Sequence, residues 1–412
     1  MLLYKIITRT YFLAIKLAAV FNEKAAKMIK GRRNLFTLLR QNIDENYRYI
    51  WFHCASLGEF EQGRPLIEEI KKQIEYKSLN YKILVTFFSP SGYEIRKNYK
   101  YADYVTYLPF DTPSNAKKFI DIVNPVSAIF VKYEIWHYFL QEIKNRSIPA
   151  YLISAVFREN QIFFKFYGKF YLQAFKSFKT IFVQNEFSEV LLKKHGINNT
   201  LVAGDTRIDR VIDVSRETYN NQILEKYCLD KKCLVFGSTW RADERFIIEF
   251  INKHKNDFSY IIAPHEVTEE NILFIEKNIK LKTGRLSKLK TIENLPDVII
   301  IDSIGILSKV YRYASLAYVG GGFGKGIHNV LEPAVYGIPV VFGPNHKKFF
   351  EAIQLLELGA AFSFNSYTEL VNIINNTIYD SQKLLNIANL LKMYFSQNAQ
   401  STLKILNKMS LM

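Results

Sequence analysis

The sequence predicts an α/β protein of two similar halves, each a parallel sheet covered by helices. Three observations carry this. From residue 49 onward, short apolar runs alternate with amphipathic stretches, the βαβ rhythm of sheets buried on both faces. The series restarts after a polar stretch at 215–222. The length, 412 residues, suits two to three domains at ~150 residues each. No repeat of about 20–50 residues is visible, which disfavours a solenoid.

The N-terminal segment comes first. Residues 2–21 are long enough to cross a bilayer, but Lys5, Arg9 and Lys16 interrupt them. At 100° per residue these three fall within ~40° on a helical wheel, one basic stripe beside a broad apolar surface. That pattern suits a helix lying in a membrane interface. No small-residue cleavage site follows, so an exported signal peptide is not expected. Lys24, Lys27, Lys30, Arg32, Arg33 and Arg40 come next, suited to anionic headgroups at ~1 kcal/mol per charge. The alternative is a helix packed on the protein's own core.

In the first half, the runs at 49–56, 81–88, 103–110, 127–133, 150–156, 180–185 and 200–204 read as strands, with helices such as 64–75 and 188–196 between them. In the second, 233–238, 260–265, 298–302, 316–322, 339–344 and 360–364 read as strands. The tail from about Ser381 to Met409 reads as helical. The expected domains are 1–40 (membrane-associated helix and basic segment), 41–210, 211–385 and a returning tail, 386–412.

Composition narrows the function. Hydrophobic residues make up 49% and charged residues 23%, which rules out a disordered chain. The 18 Gly and 11 Pro are too few for a collagenous one. Lys+Arg exceed Asp+Glu by 55 to 39, a net +16 that points to an anionic partner: nucleic acid, an acidic membrane or a phosphorylated substrate. Cys54, Cys228 and Cys233 form no metal-ligand spacing and read as free thiols in a reducing compartment.

Four motifs follow apolar strands, where open α/β sheets bind ligands. The first is His53-Cys54-Ala55-Ser56-Leu57-Gly58-Glu59, with a helix expected from near Pro65. Glu59 is placed either to remove a proton or simply to cap a helix start. The second is Lys132-Tyr133-Glu134-Ile135-Trp136. Glu134 either positions a sugar hydroxyl, orients Glu59, or is a solvated helix-start Glu. The third is Gly237-Ser238-Thr239-Trp240, with Glu244 following. Its Gly lets backbone approach a phosphate and its hydroxyls cap the next helix. The fourth runs Gly320-Gly321-Gly322-Phe323-Gly324-Lys325-Gly326-Ile327-His328-Asn329-Val330-Leu331-Glu332-Pro333. It matches neither a Walker A loop nor a dinucleotide fingerprint. It reads as a phosphate-holding loop feeding a helix from near His328, with Glu332 positioned for ribose hydroxyls. His265 ends another second-half strand. Arg207 sits at the junction of the halves, facing an anion or pairing with Asp205 or Asp209.

Taken in order, S-x-G-E, E-x-W, G-D-x-R-x-D, G-S-T, I-D-S-I-G and V-G-G-G…G-x-H-N-x-L-E-P resemble the Kdo transferases of lipopolysaccharide synthesis over nearly the whole chain. Those enzymes move 3-deoxy-D-manno-octulosonic acid (Kdo) from CMP-Kdo onto the lipid A precursor, lipid IVA. The resemblance implies a GT-B glycosyltransferase: two Rossmann-like domains with donor and acceptor in the cleft between them, and an N-terminal membrane-anchor helix. It implies an inverting, metal-independent reaction with no cofactor, at the cytoplasmic face of a Gram-negative inner membrane. By motif position, Glu59 looks like the general base and Glu134 like a second acidic residue. Gly237, Ser238, Thr239, His265, Gly321, Gly322, Gly324, Gly326, His328, Asn329 and Glu332 look like the CMP-Kdo pocket. Ser56, Gly58, Arg158 and Arg207 look like the acceptor side.

The sequence departs from the family pattern at Trp240 (usually His), at Pro264-His265-Glu266 (usually P-R-H) and at Ser154-Ala155-Val156-Phe157-Arg158 (usually N-A-R-x-S). Two rivals remain. Another GT-B nucleotide-sugar enzyme, a UDP-sugar transferase or 2-epimerase, would share the Gly-rich loop but not S-x-G-E after a basic apolar N-terminus. A non-catalytic basic membrane or nucleic-acid binder would explain the charge but not the acids at strand ends. No RNA-binding or helix-turn-helix signal is apparent, so nucleic acid is not expected as a partner.

Overall fold

The computed structural model describes residues 2–255 and 257–409, and the chain forms two compact units. One comprises Met1–Asp209 with Ala399–Met412, the other Arg210–Asn398.

The first unit holds a seven-stranded parallel sheet: β1 (Arg48–Cys54), β2 (Tyr81–Phe87), β3 (Tyr104–Tyr107), β4 (Pro125–Val131), β5 (Ala150–Ala155), β6 (Thr180–Val183) and β7 (Thr200–Val202). Their order is β3-β2-β1-β4-β5-β6-β7. The strand direction of build-up therefore reverses between β1 and β4, the position where open α/β sheets form a ligand crevice. The interior strand β1 is buried from Tyr49 to Cys54, as a strand covered on both faces must be. Each large apolar side chain there, such as Trp51 and Phe52, contributes about 1.5–3 kcal/mol by burial.

The second unit repeats the plan with β8 (Cys233–Thr239), β9 (Ser259–Pro264), β10 (Thr283–Arg285), β11 (Val298–Ile300), β12 (Leu316–Val319), β13 (Val340–Phe342) and β14 (Ala361–Ser363). The order is β10-β11-β9-β8-β12-β13-β14, with its reversal between β8 and β12. Strand β10 escapes sequence reading because it is a three-residue edge strand containing Gly284.

Helix boundaries correct several expectations. The helix after β1 starts at Leu57, not near Pro65, and runs to Tyr76 with Pro65 in its interior. Its start is set instead by Glu59, whose carboxylate accepts the Ala55 and Ser56 N–H groups at 2.5 and 3.2 Å. The helix expected from His328 is a single turn, Leu331–Ala334, and His328 lies in the loop before it. The tail divides in two. Residues 386–398 lie within the helix Ser381–Asn398 of the second unit, and the return to the first unit is made by Ser401–Met409, whose Ile405 and Met409 join that unit's core. Residues 410–412 of the expected tail lie outside the described residues.

The N-terminal segment forms α1 (Leu2–Ala18), α2 (Glu23–Lys30) and α3 (Leu35–Asn42). One side of α1 is docked on the first unit. Tyr4 donates to the buried Asp111 at 2.5 Å, Phe12 meets Phe110 at 4.3 Å, and Ile15 is buried. Asp111 also accepts the Tyr138 and Phe139 N–H groups at 3.2 Å, at the start of the helix His137–Asn145. Burial lifts its carboxyl to about 6. The other side of α1 is bare: Ile6, Leu13 and Leu17 are 49%, 58% and 65% exposed, and Phe21 beyond it 93%. The packed alternative therefore holds for one side of the helix, and the other side is exposed. Arg32 leaves the expected headgroup cluster. It turns inward to donate to the carbonyls of Met28, Phe88 and Leu108, and burial lowers its guanidinium to about 10. Among the described residues, no helix is long and apolar enough to cross a membrane.

Candidate active site

In the first unit, Glu59 follows β1 and Glu134 follows β4, so the two acids flank the reversal point of the sheet. Glu59 sits in the first turn of Leu57–Tyr76. Burial, then the nearby Glu134 carboxylate, push its carboxyl from 4.5 up to about 8, against the opposing pull of Lys132 and two backbone N–H groups. A carboxylate lifted to the working pH is a far better proton acceptor than an ordinary one. The same atoms cap the helix, so the capping and the basic reading of Glu59 are not exclusive.

Glu134 is 15% exposed and accepts the Trp136 indole N–H at 2.7 Å. The backbone that carries it starts at Lys132 with φ +65°, a left-handed conformation costly for a residue with a Cβ. Ser154 repeats this at φ +56°, at the irregularity where β5 pairs with β6, and Ser238 at φ +52°, where β8 pairs with β9. Strained residues thus stand at strand ends in both units, a feature of functional sites that side-chain patterns do not announce.

Around Glu59, Gly58 is exposed and a Cβ there would meet nothing within 4 Å. Ser56 is the residue before the helix. Arg207 pairs with Asp205 at 2.6 Å, one of the alternatives open from the sequence. Arg158 lies in the loop after β5, where its N–H donates to Gln161 at 3.0 Å.

In the second unit, Gly237-Ser238-Thr239 ends β8 and the Gly-rich segment leaves β12, again at the reversal point. The glycines have local reasons. A Cβ at Gly237 would strike the Tyr311 hydroxyl at 1.9 Å, one at Gly320 the Ser238 carbonyl at 2.2 Å, and one at Gly322 the Gly343 backbone at 2.5 Å. Gly321 and Gly326 have φ of +94° and +139°. Several amides assigned to a phosphate are also engaged within the protein. Gly324 and Gly326 donate to the Gly321 carbonyl, His328 donates to Gly320, and Gly321 donates to the buried Asp243 at 2.8 Å. Asp243, missed from the sequence, also accepts the Trp240 N–H and the Tyr318 hydroxyl at 2.9 and 2.6 Å, tying the loop to the helix after β8. The Trp240-x-x-Asp243 spacing of a helix start was the available signal. Thr239 donates to Glu244 at 3.2 Å, and burial raises the Glu244 carboxyl. Asn329 donates to Glu332 at 3.1 Å, which aims the carboxylate.

Two of the departures from the family pattern meet here. Trp240 and His265 stack at 4.6 Å, and His265 and His328 at 4.2 Å. The Trp240 indole N–H donates to His328 Nε2 at 2.9 Å. An indole N–H only donates, so that nitrogen is bare and the neutral ring carries its proton on Nδ1. Burial, then His265, hold the His328 imidazole down to about 4. Among the described residues, no three His, Cys, Asp or Glu side chains are grouped to hold a metal ion.

A family model described as 3-deoxy-D-manno-octulosonic-acid transferase (kdotransferase) matches residues 27–210. The chain is 28% identical to the 3-deoxy-D-manno-octulosonic acid transferase of Aquifex aeolicus, over 78% of this chain and 84% of that protein. It is also 28% identical to the Rickettsia prowazekii transferase of the same name, over 90% of this chain and 80% of that protein. Among solved structures, it resembles the UDP-GlcNAc 2-epimerase of Neisseria meningitidis with a TM-score of 0.60 at 14% identity, over 88% of this chain and 99% of the other. A glycosyltransferase of Rickettsia africae gives 0.57 at 14% identity, over 88% and 98%. These two likenesses are of fold alone, and the fold is GT-B. By these matches the chain is similar to the 3-deoxy-D-manno-octulosonic acid (Kdo) transferases, which are glycosyltransferases.

Proposed function

We propose that this protein transfers Kdo from CMP-Kdo to a hydroxyl of the lipid A precursor, with inversion, and that Glu59 is the general base. The observation that carries this is the pair of acids at the reversal point of the first sheet, one of them lifted to about 8. In the reaction, the acceptor oxygen forms a bond to the anomeric carbon while the bond from that carbon to the CMP phosphate oxygen breaks. The leaving CMP keeps the electron pair, and the acceptor's proton passes to the Glu59 carboxylate. Departure of CMP gives an oxocarbenium-like transition state, as in glycoside hydrolysis. Proton removal by a positioned base contributes about 10²–10⁴-fold.

The donor reading places CMP on the second unit. Glu332, aimed by Asn329, accepts from ribose hydroxyls. Ser238 and the His328 Nδ1–H supply neutral donors to the phosphate. The His328 donor needs no proton from solvent, so its hydrogen bond persists through neutral pH. No metal is invoked in any step.

The location belongs to the same proposal. The bare apolar side of α1, with Lys5, Arg9 and Lys16 exposed beside it, suits insertion at the surface of an anionic inner membrane, where a lipid acceptor resides. The test of the central role is Glu59→Gln, which keeps the shape and removes the basicity. The expected result is a fall in kcat of roughly 10²-fold or more with CMP affinity unchanged. Near wild-type kcat would remove Glu59 from the mechanism.

A further inference from the structure

His53 is a buried ring on β1, one turn of chain before Glu59, and fully enclosed at 0% exposure. Its Nδ1 lies 2.9 Å from the Thr86 hydroxyl. Its Nε2, on the opposite edge, stands 3.4 Å from Glu134 Oε2 and completes no hydrogen bond among the described residues. The same Oε2 accepts the Trp136 indole N–H, and the Trp136 ring stands edge-on to His53 at 5.6 Å. Behind Thr86, the Trp51 indole N–H donates to the hydroxyl oxygen at 2.8 Å, and the Phe52 carbonyl lies 3.2 Å away.

Counting protons separates two arrangements. Thr86 has one hydroxyl proton, and Trp51 can only donate to it. If that proton goes to Phe52, His53 must donate from Nδ1, and a neutral ring then turns a bare lone pair on the Glu134 carboxylate. If it goes to His53 Nδ1, the nearer acceptor, the ring's own proton sits on Nε2 and faces Glu134. A buried lone pair against a carboxylate oxygen is costly, whereas a buried N–H there is attractive. We infer that His53 is a positioning residue of the acid pair: it presents Nε2–H to Glu134, keeps that carboxylate ionised, and so leaves Glu59 as the member that exchanges the acceptor's proton.

The inference rests on the reading of Glu59 as base. Besides the Trp136 indole on Glu134 and the Ala55 and Ser56 N–H groups on Glu59, the titratable groups beside the pair are Lys132, which favours ionised Glu59, and the buried Cys54 thiol, which burial keeps protonated. Two carboxyls held in unlike surroundings take unlike roles, and His53 faces Glu134, whereas the Ala55 and Ser56 N–H groups face Glu59. The 3.4 Å separation fits a catalytic contact that tightens when substrate binds.

The first test does not depend on turnover. ¹⁵N-histidine NMR of the full chain, with the His53 signal assigned from its loss in His53→Gln, should show a protonated Nε2 at pH 7. A neutral ring protonated on Nδ1 overturns the inference whether or not the protein transfers Kdo. The second test compares His53→Gln, which keeps an N–H toward Glu134, with His53→Met, which fills the space without one. Gln should keep the acid limb of the pH–rate profile. Met should move it down by about one pH unit, as Glu134 takes a share of the proton, and lower kcat by about 10-fold or more. Equal loss of thermal stability in both variants with the limb unmoved would make His53 structural only. If His53→Met does not fold, the wild-type NMR result decides.

Discussion

Replacing Glu134 by Gln should move the acid limb of kcat/KM to lower pH. The base acts ionised, so activity rises with pH through the carboxyl's midpoint in the free enzyme, about 8 for Glu59. Burial is the larger cause of that position and the Glu134 charge the second, so Glu134→Gln removes the smaller part. The midpoint should fall by about one unit, to roughly 7, and not return to 4.5. At pH 6.5 the ionised fraction of Glu59 then rises from roughly 3% to roughly 24%, about an eightfold gain relative to each enzyme's own plateau. The plateau itself should drop, because a less basic carboxylate is a weaker proton acceptor. The assay is initial-rate transfer at limiting CMP-Kdo from pH 5 to pH 9. An unmoved limb, or a wild-type limb already near 4.5, would refute the coupling of the two acids.

Three further outcomes follow from the geometry. In Glu59→Gln, the unfolding midpoint should rise relative to wild type as pH increases from 4.5 toward 8. Over that window the unfolded chain has lost the Glu59 proton while the folded protein keeps it, so wild-type stability falls with pH by about 1–3 kcal/mol, allowing for partial solvent access; a pH-independent difference in thermal melts would contradict this. Gly58→Ala has open space and gains helix propensity of up to about 1 kcal/mol, so stability should hold or rise while transfer falls if the acceptor lies against that backbone; full activity would remove Gly58 from the acceptor side. Leu13→Glu with Leu17→Glu should release the protein from anionic vesicles in flotation while CMP affinity stays constant, since both side chains point away from the docked side of α1; undiminished flotation would place the membrane contact elsewhere.

The fold was legible because buried parallel strands announce themselves as apolar runs, and the candidate site residues were chosen because they follow those runs. What was hidden depended on partners distant in sequence. Arg32 reads as one more surface charge until the carbonyls of Phe88 and Leu108, 56 and 76 residues away, are seen to receive it. The cluster of glycines from 320 to 326 reads as a phosphate cradle, yet most are required by Ser238, Gly343 and Phe349 pressing against them. Pro65 reads as a helix start, although the Glu59 cap already sets one eight residues upstream, at Leu57. The stack joins Trp240 and His265, at the ends of β8 and β9, to His328 in the loop after β12, so the sequence shows two unrelated departures where the structure shows one unit. His53 was visible as a residue, but its role lies in Thr86 on the neighbouring β2 and Glu134 in the turn after β4 on the other side.

The account's central claim is the transfer itself. The most direct measurement incubates the full chain with CMP-Kdo and a tetra-acylated lipid A precursor in excess EDTA, then weighs the lipid by mass spectrometry. The account predicts lipid heavier by one or more Kdo residues, with CMP released in equal amount. Unchanged lipid beside intact CMP-Kdo, or activity that returns only on adding magnesium, would contradict it.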